Sequence, residues 1–153
     1  MRRILSASIW SPTAIPADEW KYRNLKRVMF PTIDFLFILG GLSAARFGIP
    51  AISEFFPDPV VDAFSYILSA VGVACLVGVS FPRLWGLEMV SKILLLTQIV
   101  GYVTALFLLT AQGEGNRGFV LIIAAVAVCP ILWRLTLLAS EWSERRAQRK
   151  VTE

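Results

Sequence analysis

An aspartate inside one apolar run and an arginine inside another are the residues of this chain best placed to do chemistry. In "VMFPTIDFLFILGG", Val28 to Gly41, Asp34 follows Pro31 in what reads as a membrane span, and in "VCPILWRLTLLA", Val128 to Ala139, Arg134 follows Pro130. A carboxylate at membrane depth can carry a proton, balance a cation or line an ion path, which makes it the first pointer to function in such a chain. Asp34 lies six residues beyond Val28, about 9 Å along a helix. Arg134 lies sixteen residues beyond Gly118 in a span of opposite direction, about 24 Å from its start. The two therefore sit at similar depth, and Asp34 with Arg134 is a candidate intramembrane ion pair if the first and last spans are neighbours. Snorkelling of Arg134 to the interface is the competing account. Pro31 then falls in the first helical turn, where a missing N–H costs nothing, and Asp34 near the positive helix end.

The other charges read as structural. Glu88 and Lys92 have the i, i+4 spacing of a helical pair with the acid first. Arg46 closes the first span and Asp62 opens the second, so they face each other across a short hairpin. Polar residues including Ser65, Ser69, Thr97, Gln98, Tyr102 and Thr104 fall within the apolar segments. The small-xxx-small spacings Gly40 to Ala44, Gly41 to Ala45 and Ala70 to Ala74 are candidate helix-packing positions. Cys75 and Cys129 are embedded in apolar runs and read as small buried hydrophobes, and there is no histidine. With no phosphate-binding glycine loop and no activated nucleophile, no catalytic, metal or cofactor residue can be named, and an enzyme is not expected.

These residues need membrane helices to position them. Hydrophobic residues make up 56% of the 153-residue chain, charged ones 17%, and the mean hydropathy is +0.66, outside the range of soluble domains. Four segments approach the roughly 20 residues a crossing needs: 28–49, 60–81, 90–111 and 118–139. "PAISEFFPDP", "PRLWGLE" and "QGEGNR" separate them and are too short for a soluble domain. The segments do not alternate as barrel strands would. The expected fold is all-α: an integral membrane four-helix bundle over 28–139, preceded by a cytoplasmic or interfacial segment 1–27 and followed by a charged tail 140–153. "ADEWKYRNLKRVM", 17–29, reads either as an interfacial helix or as a solvated basic tail.

Lysine and arginine set the orientation. Arg2, Arg3, Lys21, Arg23, Lys26, Arg27, Arg83, Lys92, Arg134, Arg145, Arg146, Arg149 and Lys150 fall on one side, against Arg46 and Arg117 on the other. Both termini are therefore expected in the cytoplasm, with the protein multi-pass in the cytoplasmic (inner) membrane. Trp10, Trp20, Trp85, Trp133 and Trp142 lie near that same face, where indole rings favour the headgroups. The formal charge of +4 fits contact with anionic lipid at the cytoplasmic face rather than nucleic acid.

In outline, a short polytopic chain without catalytic residues and with the charged end "ERRAQRK" resembles the holin-like small membrane proteins of bacteriophages. That resemblance implies oligomerisation into membrane lesions, for which "GGLSAA" (40–45) and "SAVGVA" (69–74) offer the helix faces. Two other readings stay open. One is a non-catalytic accessory or scaffold subunit that holds a membrane or cytoplasmic protein partner. The other is a small dimeric transporter or channel with Asp34 as coupling carboxylate. Homo-oligomerisation is compatible with all three.

Overall fold

The computed structural model describes residues 8–11, 24–112 and 118–151. Among them there is no strand, and four helices are long and apolar enough to cross a membrane: Leu25–Phe47, Asp58–Ser80, Pro82–Ala111 and Gly118–Ser143. The protein is thus a small multi-pass membrane protein by the length and composition of its helices.

The first crossing begins as a five-residue π-helical stretch, Leu25–Met29, that runs directly into helix α1, Phe30–Phe47. Pro31 is the cause. Its ring clashes with the carbonyl four residues back and it offers no N–H to that carbonyl, so a helix continuing through it must widen. The Phe30 N–H accordingly reaches back to the Leu25 carbonyl. Of the stretch 17–29, read either as an interfacial helix or as a solvated basic tail, residues 24–29 are helical and continuous with α1; 17–23 lie outside the described residues.

Gly48 ends α1 at φ 76°, a left-handed conformation that glycine adopts without strain, and its N–H closes onto the Ala44 carbonyl at 2.8 Å. The short helix α2, Pro50–Ser53, follows and buries Ala51 and Ile52. Helix α3, Asp58–Ser80, starts with Pro59 in its first turn. Phe81 is the single extended residue before a 3-10 turn, Pro82–Leu84, and helix α4, Trp85–Ala111. The long turn expected over 82–88 is therefore helical almost throughout, with Pro82 at the helix start. Helix α5, Gly118–Val151, contains Pro130 and carries its backbone into the charged tail.

Packing follows chain order: α1 lies on α3, α3 on α4 and α4 on α5. Glycines set the closest approaches. A Cβ on Gly41 would lie 2.7 Å from the Ser69 nitrogen, and one on Gly72 would lie 2.9 Å from Ile38 Cγ1. On the other side of α3, a Cβ on Gly78 would lie 2.7 Å from the Glu88 Cα. The apolar core joins Leu68, Val71 and Cys75 of α3 to Leu95 and Ile99 of α4 and Ile131 of α5. Several hydroxyls in the spans donate to their own helix, as Ser65 does to Val61, Thr97 to Ile93 and Thr104 to Val100, and Ser69 donates across to the Ile38 carbonyl of α1 at 3.3 Å, which satisfies them where water is absent.

Candidate functional site

The most unusual feature of the interior is a set of charges that three helices bring together. Asp34 of α1 is wholly buried, and Lys92 and Glu88 of α4 and Arg134 of α5 are 1%, 2% and 5% exposed. Lys92 Nζ donates to Asp34 Oδ1. Arg134 grips Glu88 in a fork, Nε to Oε1 at 2.5 Å and Nη2 to Oε2 at 2.8 Å, the bidentate geometry that guanidinium and carboxylate share. Its Nη1 lies 3.6 Å from Glu141, which accepts from Lys26 Nζ at 2.8 Å. The Arg134 guanidinium also stands 5.2 Å from the Phe30 ring centroid, a favourable cation–π placement. Charges this deep are tolerated because each has its counter-ion: an isolated one would cost several kcal/mol, on the order of the penalty for any unpaired ion in a low-dielectric interior.

The expected Asp34–Arg134 pair is thus corrected. Both residues belong to the same cluster, but Asp34 takes Lys92 and Arg134 takes Glu88. The expected Glu88–Lys92 pair along one helix is corrected for the same reason, since each is drawn to a different neighbouring helix. Asp34 is also deeper than its distance from Val28 indicates. The crossing begins at Leu25, nine residues before it, or about 13 Å along the helix. Lys92 lies ten residues into Pro82–Ala111 and Arg134 nine residues from the end of Gly118–Ser143, so all three meet at one level. The pairing of Lys92 with Asp34 is not legible from a third span that begins at residue 90; Pro82, a good first helical residue, is the signal that the span starts earlier.

A strap closes the same end. The Ile9 N–H donates to the Ser80 carbonyl at 2.9 Å, occupying one of the free carbonyls at the end of α3. Arg27 donates to the carbonyls of Ile9 (3.0 Å) and Ser11 (2.6 Å). Trp10 returns the contact, its indole N–H donating at 3.2 Å to the Arg27 carbonyl, which Pro31 cannot serve.

The candidate packing residues divide. Gly41 is buried against Ser65 and Ser69, whereas Gly40 has open space where a Cβ would be. Ala44, Ala45 and Ala74 are half-buried and Ala70 is exposed. Arg46 and Asp62 form no ion pair with each other; Arg46 instead lies 5.8 Å from the Phe47 ring centroid. Cys75 is wholly buried, but Cys129 is exposed on α5, which corrects its expected burial.

Chemically, the cluster can neutralise charge and fasten helices. Among the described residues, no group of three or more His, Cys, Asp or Glu side chains is gathered as a metal would require. No family model, curated protein or solved structure matches the chain.

Proposed function

We propose that this protein is a non-catalytic accessory or scaffold subunit of the cytoplasmic membrane, a four-helix bundle with both termini on the cytoplasmic side. The observation that carries this reading is the commitment of every interior charge to another: Asp34 to Lys92 and Glu88 to Arg134. A coupling carboxylate needs access to its ion, and Asp34 is wholly buried against a lysine, which weighs against the transporter reading. Lesion formation by a holin-like oligomer needs helix faces free to exchange lipid for neighbours. In the two small-residue stretches, Gly41, Ser69 and Gly72 are already packed between α1 and α3, which supports the accessory reading over that one. The orientation rests on the basic residues Lys26, Arg27 and Arg83 and on Trp10, Trp85 and Trp142, all at the end that carries the charge cluster.

Induced expression in a bacterium, followed by membrane potential and viable count, tests the proposal. An accessory subunit leaves both unchanged and co-purifies with one partner in fixed stoichiometry, a complex lost when 144–153 is removed, a truncation that keeps Glu141 in the charge network. Abrupt depolarisation after a delay overturns the proposal in favour of a lesion-forming protein.

A further inference from the structure

At the end of the molecule opposite the charge cluster, α1, α3 and α4 enclose a cavity of about 360 Å³, lined by Gly40, Ser43, Ala44 and Phe47 of α1, Leu68 of α3 and Tyr102 of α4. It opens sideways: Phe47 is 79% exposed while forming part of its wall. Phe47 is the last residue of α1 and Tyr102 lies nine from the end of α4, so the cavity runs from the helix ends to about 13 Å inward. We infer that it holds one acyl chain of a phospholipid whose phosphate is met by Arg46.

Three observations select that occupant. The first is width. An α-helix with its side chains is about 10 Å across, and a cylinder of that width with the volume of the cavity, about 360 Å³, is shorter than one helical turn. The cavity therefore takes something thinner than the helix of a second copy. The second is surroundings. Lipid tails are as apolar as these walls, so there is no hydrophobic gain to be had between them. The alternative to a tail, however, is a void whose lining loses its dispersion contacts outright. The third is charge. Arg46 lies three residues beyond Ser43 on the same helix face, with its guanidinium 5.8 Å from the centroid of the Phe47 ring and, among the described residues, with no carboxylate paired to it. Ser43 makes no hydrogen bond to its own helix, unlike Thr97, Thr104 and Thr110 on α4. Its hydroxyl, one turn deeper than Arg46, is at the level where a phospholipid places its ester carbonyls when its phosphate is beside Arg46.

Native mass spectrometry of the full chain, released from nanodiscs of dioleoyl phosphatidylglycerol and titrated with that lipid and with dioleoylglycerol, tests the inference. The wild-type protein should retain one phospholipid. Ala44→Leu, which fills the cavity, should lose it. Arg46→Gln should bind phosphatidylglycerol about fivefold more weakly, as expected for one cation at a lipid headgroup, with dioleoylglycerol binding unchanged. Unchanged phospholipid affinity in a folded Ala44→Leu protein overturns the inference. Should Ala44→Leu fail to fold, Arg46→Gln decides: equal losses for both lipids, or none for either, overturn it. A Ser43→Cys protein that cross-links to a second copy in place of retaining lipid also overturns it.

Discussion

Lys92 and Asp34, 58 positions apart in the chain, meet as a buried ion pair between α4 and α1, two helices separated by α3 in the order of packing. The pair reaches around α3 at the level where Gly72 lets α1 come close. It is therefore both a neutralisation of two deep charges and a tie between helices that are not consecutive in the array.

Removing one member should cost far more than removing both. Asp34→Asn leaves the Lys92 ammonium buried without a counter-ion and should destabilise the protein by about 3–5 kcal/mol, the usual result of breaking a buried pair. Asp34→Leu combined with Lys92→Met removes both charges and should recover most of that loss. Asp34→Leu combined with Glu88→Gln should recover nothing, because it removes both carboxylates and strands two cations, Lys92 and Arg134, together. Thermal unfolding in detergent, read by loss of the monodisperse species, distinguishes the three.

Glycines that look alike in sequence should respond in opposite directions. Gly78→Ala places a methyl 2.7 Å from the Glu88 Cα, forcing α3 and α4 apart at the residue that holds Arg134, and should cost about 1–3 kcal/mol. Gly40→Ala meets nothing within 4 Å and should gain about 0.5–1 kcal/mol through the more restricted unfolded chain. The same unfolding measurement checks both.

The strap of Ser8–Ser11 should depend on Pro31 through the Arg27 carbonyl that Trp10 holds. Pro31→Ala supplies an N–H to the Arg27 carbonyl in competition with Trp10, and should relax the π-helical turn toward ordinary α-helix. Limited proteolysis near Trp10 should accelerate severalfold, as should proteolysis of Arg27→Ala, which loses two donors to the strap. Unchanged cleavage in both variants would refute the coupling.

The two cysteines should separate cleanly by reagent access. Cys129 is exposed on a membrane-facing helix while Cys75 is wholly buried. A lipid-soluble maleimide should modify one thiol per folded chain, at Cys129, and reach Cys75 only after denaturation; peptide mapping identifies the site.

The four helices were legible because a long apolar run bounded by proline, glycine and charge has few alternatives. The charged residues were legible too, since Asp34 and Arg134 stand out against their neighbours. Their partners were not. Which charges meet depends on the rotation of each helix and on which helices touch, and α1 turns out to pack on α3, with Asp34 reaching α4 rather than α5. The π-helical entry was hidden for a different reason: Pro31 reads equally well as a first-turn residue, and only the helical course of Asn24 to Met29 makes it an interior one.

The interior charges also determine how the protein meets an electric field. Lys26, Lys92 and Arg134 are balanced one for one by Asp34, Glu88 and Glu141, so their sum is zero. Moving one elementary charge through 100 mV is worth about 2.3 kcal/mol, but moving this network as a unit does no net electrical work. Translation of that network as one body is therefore indifferent to membrane voltage. Any voltage sensitivity of the protein has to come from charges outside the network, of which Arg46, at the far end of α1, is one.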